Sequence, residues 1–183
     1  PHVGHSEQNP DEVLDAVKKC ILQVHQDCEA HLLLGLSFSS AMHSLMATDV
    51  NGFPLTPLVI WSDMRSTKQA NDLLSRSIAF KIYEATGTAI HPMSPLCKLM
   101  WWKKYHPDLI KDASKFLSIK DYILHYFTGE WITDYSVASA SGLFNIRSLT
   151  WNEDSLEEAG ITVQQLPTPI PTTQVITAIK KVV

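Results

Sequence analysis

LLLGLSFSSAMHSLMATDVNGFPLTPLVIWSDMR, residues 32–65, is the stretch whose reading decides the fold of this chain. It holds two apolar runs, 32–36 and 58–61, with a shorter run, 45–47, between them. The short run leads into Asp49-Val50-Asn51-Gly52, and Asn-Gly between apolar runs is a strong hairpin signal. Residues 32–36 show no polar alternation, which predicts a strand buried on both faces. Both flanking runs stop at polar groups: Ser37, Ser39, Ser40 and His43 after the first, Trp61, Ser62, Asp63 and Arg65 after the second. Small polar ligands of open α/β sheets bind beyond the carboxyl ends of strands. Two strand ends are therefore expected to deliver Met42, His43, Trp61, Asp63 and Arg65 toward one pocket.

Outward from this stretch, strands and helices mix. Asn9-Pro10-Asp11-Glu12 is a helix start: a capping Asn, Pro at the first helical position and acids in the first turn. Val13, Leu14, Val17, Ile21 and Val24 then recur at helical spacing. After the hairpin region, Ser62 or Asp63 is placed to cap a helix over 66–75 with Ala70, Leu73 and Leu74 inward. A second helix, 78–85, closes at Gly87. Residues 88–95 cannot be helical through their prolines. Leu96, Leu99, Met100 and Lys103 continue as a helix that stops before Pro107. A short apolar run (116–119), a helix over 122–127 backed by Gly129 and an extended 131–133 follow. Thr133 or Asp134 caps a helix reaching Ala138 and Leu143, and 152–159 is a last helix closed by Gly160. Pro167, Pro169 and Pro171 mark a loop, and 174–179 begins another extended element. This order predicts an α/β fold with a mixed sheet and helices packed on it.

The bulk composition narrows the function classes. The 183 residues suffice for one domain with a real core. A formal charge of −4 without a basic cluster argues against nucleic acid and against an anionic membrane surface. No apolar run approaches the roughly 18–20 residues of a membrane span, and no signal peptide opens the chain. Cys20, Cys28 and Cys97 lack paired spacing and read as reduced thiols of a cytoplasmic protein. No cysteine or histidine pair has metal-ligand spacing. The chain opens at Pro1 and ends at Ile179-Lys180-Lys181-Val182-Val183, so it reads as a piece of something longer.

Each candidate residue has a plain alternative. His43 is either a hydrogen-bonded core histidine or an imidazole that both donates to and accepts from hydroxyls. Trp61 is either core or a flat wall against the C–H face of a polyol. Asp63 and Arg65 are either a cap and a surface charge, or a hydroxyl acceptor and a two-pronged carboxylate holder. Asp134 reads first as an N-cap before a helix of small residues. The loop His91-Pro92-Met93-Ser94-Pro95 holds its shape through two prolines and suits ligand contacts. There is no GxxxxGK[ST], no GxGxxG and no Gly-x-Ser-x-Gly. No carboxylate pair stands in an obvious cleft stretch.

The segment GLSFSSAMHSLMATDVNGFPLTPLVIWSDMRS resembles the first-domain segment of the FGGY carbohydrate kinases. TGTAIHPMSPLCKLMWW is similar to that family's TG…P…K…W signature, and TDYSVASASGLFNIRSLTWNEDSLEEAGI to its TD-x-S-x-AS segment. The three motifs stand in family order from Glu7 to about Thr177, and they are most similar to those of the gluconate kinases. The resemblance implies a ribonuclease-H-like domain of the actin and hexokinase type. This chain would be most of the N-terminal sugar-binding domain, an incomplete one. The first strands with their phosphate loop, the catalytic aspartate and the C-terminal ATP-binding domain would lie outside it. By position, Met42, His43, Trp61 and Met93 would line the sugar pocket, with Asp63 and Arg65 as further members and no catalytic residue or metal ligand in this chain. The intact enzyme would use ATP and Mg2+ to convert D-gluconate to 6-phosphogluconate, while this chain alone would bind neither and be inactive. A kinase for xylulose or another polyol, and a non-catalytic sugar-binding or interaction module, are the alternatives. The expected partner is a small sugar or sugar acid; a homodimer is compatible with the sequence.

Overall fold

A computed structural model describes residues 4–28, 34–177 and 179–180. Its centre is a ladder built by the hairpin region. Strand β1 (Glu7–Gln8) leads into helix α1 (Pro10–Asp27), whose cap Asn9 accepts from the amides of Asp11 and Glu12. Strands β2 (Met46–Thr48) and β3 (Leu58–Val59) follow. The turn between them is held by Asp49, whose carboxylate accepts from the amides of Asn51 and Phe53. Gly52 takes the left-handed conformation there, at φ 87°, as a tight turn requires. Bridges Thr48↔Pro54 and Leu45↔Val59 complete the hairpin. β1 pairs antiparallel with β3, and β2 pairs antiparallel with β4 (Lys115–Leu117).

The period-2 alternation of these short strands sorts side chains onto two cores. Leu45, Ala47, Val59 and Phe116 face one cluster with Leu73, Ile82, Leu96, Leu99 and Trp102. Met46, Leu58 and Leu117 face the other, with Leu14 of α1 and Tyr122, Ile123 and Phe127. The first cluster is covered by α2 (Thr67–Leu74), α3 (Ile78–Thr86), α4 (Pro95–Tyr105) and α8 (Glu153–Ala159). The second is covered by α1 and α6 (Ile119–Thr128). The chain also forms α5 (Pro107–Asp112), which the sequence reading did not anticipate, and α7 (Tyr135–Ser139). β5 (Ile132–Asp134) and β8 (Thr168–Ile170) pair in parallel, and β6 (Phe144–Asn145) with β7 (Thr150–Trp151) antiparallel. Parallel and antiparallel pairs are thus both present, but among the described residues they lie in separate two-stranded ladders rather than in one mixed sheet.

Several expectations are corrected. Of the predicted strand 32–36, residues 32–33 lie outside the described part, and 34–36 form no strand. Leu34 is 97% exposed, so its apolar character finds no sheet partner among the described residues. Leu74 is exposed rather than inward. Asp63 does not cap α2, because its carboxylate is taken by other donors; the N-cap position is Ser66, whose hydroxyl donates instead to the carbonyl of Pro92. The helix begun at Asp134 ends at Ser139 and does not reach Leu143. Gly142, at φ 75°, turns the chain there. The proline-rich segment holds β8, since a proline that needs no ladder donor is tolerated in a strand with a free edge. Residues 174–177 form no strand, and Ala178 lies outside the described residues.

Candidate sugar-binding site

The three sequence segments are tied to one another largely through main-chain carbonyls. His43 lies just before β2 with a positive φ of 66°, a region that histidine enters more readily than most residues. Its Nδ1 lies 2.9 Å from the carbonyl oxygen of Ala140, just after α7. A carbonyl only accepts, so Nδ1 carries the proton and Nε2 presents a lone pair. Burial lowers the His43 pKa below its ordinary value against the opposing bond to Ala140, and the Lys98 charge pushes the same way. The imidazole is thus held neutral, in one tautomer, with an acceptor nitrogen.

Trp61 follows β3 in a turn closed by the bond from the Asp63 amide to the Ile60 carbonyl, at 3.1 Å. Its indole is 56% exposed, so it is no core residue. Met42 is exposed and Met93 half-buried. The loop carrying Met93 is rigid for reasons beyond its prolines. The Met93 amide donates to Nδ1 of His91, the Ser94 amide donates to the His91 carbonyl, and Ser66 holds the Pro92 carbonyl. Thr88 and Leu96 reach across to the carbonyls of Ser139 and Ser141.

Lys98, the lysine of the TG…P…K…W segment, is not among the site residues expected from the sequence. It is 1% exposed, and its ammonium donates to the carbonyls of His43 at 2.5 Å and Ile60 at 2.9 Å. One cation therefore joins the main chain of His43 to the residue preceding Trp61. Burial pushes its pKa down to about 8, against the attraction of Asp63. A sequence signal existed: Lys98 sits between Leu96, Cys97 and Leu99, where a solvated helix face would not be so apolar.

Asp63 and Arg65 form an internal lock. The fully buried carboxylate accepts from the Ser6 amide at 2.6 Å, the Arg65 amide at 3.1 Å, Arg65 Nε at 2.9 Å and Arg65 Nη2 at 2.8 Å. Nη2 also reaches Glu7 at 2.5 Å, and the guanidinium lies over Trp101, 5.2 Å from the ring centroid. Burial opposes ionisation of Asp63, but the bonds from Arg65 and Ser6 outweigh it and hold the carboxyl below its usual range. The pair thus anchors the N-terminal segment to the turn carrying Trp61. Asp134 is a cap, as its sequence suggested. Its Oδ1 accepts from the amides of Ser136 and Val137, and its Oδ2 pairs with Lys120 at 2.6 Å.

Among the described residues no group of three or more His, Cys, Asp or Glu is placed to hold a metal ion. No described helix is long and apolar enough to cross a membrane. Two surface depressions, of about 610 Å³ beside Ile110 and Gln165 and about 380 Å³ beside Asn9 and Pro57, lie away from His43 and Trp61.

The sequence model of the N-terminal domain of the FGGY family of carbohydrate kinases matches residues 1–183. A gluconokinase from Bacillus licheniformis is 40% identical over 178 residues, 96% of this chain and 34% of the relative. The chain thus spans about a third of the length of the curated relatives it matches. Two solved structures from Lactobacillus acidophilus, a gluconate kinase and a ligand-bound xylulose kinase, each superpose with a TM-score of 0.90 and 34% identity. Each alignment covers 97% of this chain and 36% of the other. The fold is accordingly the mixed α/β, actin- and hexokinase-like fold of those kinases, present as part of a larger whole. On the full-length match and the three interlocked motifs, this chain belongs to the FGGY family of carbohydrate kinases, as its N-terminal domain.

Proposed function

We propose that the protein carrying this chain phosphorylates D-gluconate with ATP and Mg2+ to give 6-phosphogluconate, and that this domain supplies the sugar contacts. The carrying observation is a neutral His43 acceptor and an exposed Trp61 whose segments share one ammonium. A bare Nε2 suits a sugar hydroxyl, which donates to it. The indole face suits the C–H side of an extended polyol. Met42 and Met93, with their polarizable thioethers, are proposed as further apolar contacts for the sugar. Asp63 and Arg65 act one step back, by fixing the turn from which Trp61 projects. Phosphoryl transfer then needs positioning of the sugar hydroxyl and stabilisation of the transferring group, which fall to the donor-binding part of the protein. The gluconate assignment rests on the 40% identity to a gluconokinase.

A second reading, phosphorylation of D-xylulose, is favoured by the equally close superposition on a xylulose kinase. Both predict a cytoplasmic enzyme acting on a small hydroxylated substrate. The test is phosphorylation of a panel of D-gluconate, D-xylulose, glycerol and ribitol by the intact protein, read by coupled ADP release. The expected result is the highest kcat/KM on D-gluconate. Preference for D-xylulose transfers the assignment to the second reading, and no turnover on any member refutes both.

A further inference from the structure

Lys98 is an expensive residue to keep where it stands. Its side chain is 1% exposed, and among the described residues its ammonium forms no ion pair. The nearby Asp63 carboxylate is already bonded to Arg65 and Ser6. A buried cation lacking a bonded carboxylate is strongly disfavoured, and a methionine would fill the same volume without that penalty. What the ammonium has in exchange is two main-chain carbonyls, one from each limb of the hairpin just outside the Leu45↔Val59 bridge. They belong to His43, which is held at positive φ, and to Ile60, which immediately precedes Trp61. A charged donor makes such bonds about twice as strong as a neutral one.

We infer that Lys98 is a positioning residue of the sugar site, whose single ammonium holds the His43 and Trp61 limbs of the hairpin together where they run on past the Leu45↔Val59 bridge. It touches no reacting atom. Its removal loosens the distance between the acceptor nitrogen and the indole wall, so sugar affinity falls while the nucleotide side is unaffected. The charged and titratable groups facing it are Asp63 and Arg65 from the turn after β3, His43 from the segment before β2 and Cys97 on its own helix. Loss of its proton above about pH 8 weakens both carbonyl bonds, and sugar binding weakens with them.

The inference rests on the proposed sugar-kinase reading, and the experiment separates the two. The intact protein is assayed with whichever member of the sugar panel it phosphorylates best; the absence of any such sugar refutes the function and this role of Lys98 with it, whereas the outcomes below bear on Lys98 alone. In Lys98→Met, the KM for that sugar is expected to rise at least tenfold while the KM for ATP stays within twofold. Lys98→Arg, which retains a cation with several N–H donors, recovers part of the lost sugar affinity. An unchanged sugar KM in Lys98→Met, or equal losses for sugar and ATP, overturns the inference. Should Lys98→Met fail to fold, the wild-type protein decides. Its sugar dissociation constant, read by tryptophan fluorescence, is expected to rise more than threefold from pH 7 to 9.5, and a flat profile overturns the inference.

Discussion

Replacing Asp63 by Asn removes a charge from the interior while leaving the shape of the side chain nearly intact. The carboxylate accepts from the Ser6 amide, the Arg65 amide and two nitrogens of the Arg65 guanidinium. An amide oxygen keeps part of this, but the amide NH2 then faces donors. The Arg65 side chain, 6% exposed, is left with Glu7 at the rim of the lock. Breaking a buried pair by removing one partner costs about 3–5 kcal/mol. Because Glu7 retains some of the guanidinium's charge, the low end, about 3 kcal/mol, is expected. For a domain of this size that corresponds to a fall of roughly 6–12 °C in the midpoint of the transition melting it. The assay is calorimetry of the intact protein, wild type against Asp63→Asn, with the double variant Asp63→Asn/Arg65→Met closing a cycle. The double variant should be less destabilised than the sum of the two singles, because the unpaired charge is gone. The acid side supplies a second reading. The native Asp63 carboxyl is held below its ordinary value of 3.8. Its contribution to stability is therefore present above that value and is lost as pH falls through the lower native value. The Asn variant should lack this part of the acid dependence. An Asp63→Asn protein as stable as wild type, with a tenfold rise in sugar KM, would refute the lock and make Asp63 a direct sugar ligand.

His43→Ala should raise the KM for the preferred sugar about three- to tenfold, the worth of one net hydrogen bond to a neutral group. In the wild type, sugar binding should weaken at acid pH, below the lowered His43 value, as Nε2 gains a proton and ceases to accept; equal acid dependence in His43→Ala would count against this. Asp134→Ala should lower stability by at least about 1 kcal/mol, through loss of the α7 cap and of the Lys120 pair, with kcat unchanged. Steady-state kinetics and thermal melting check both parts, and a large loss of kcat would show that Asp134 does more than cap the helix. Gly160→Ala should destabilise by about 1 kcal/mol or more, since the position requires φ 73° and the new Cβ would stand 2.8 Å from Cδ of Lys103. A melting midpoint equal to wild type would show that the α8 terminus relaxes freely.

Local signals were legible wherever a residue's own chemistry settles its conformation. Asn9 caps its helix, while Gly87, Gly129 and Gly160 end theirs in the left-handed region, because these effects span only a few residues. Asp49 and Gly52 close the hairpin for the same reason. The order of the three motifs was sufficient to recognise the family, and the sequence named His43 and Trp61 as partners. It could not say how they are held together. The bond from His43 to the Ala140 carbonyl joins residues 97 apart, and the bridge from Lys98 joins two carbonyls that carry no side-chain signature. Main-chain acceptors exist at every position, so only the folded arrangement selects which are used. Arg65 looked available for a substrate carboxylate until the fold brought Glu7 and Asp63 against it. The run 32–36 shows the converse: apolar character predicts burial, but burial needs a partner surface, and residues 34–36 find none among the described residues. Short-range sterics and hydrogen bonding thus fixed the elements, while long-range contacts decided which polar groups remain free to meet a ligand.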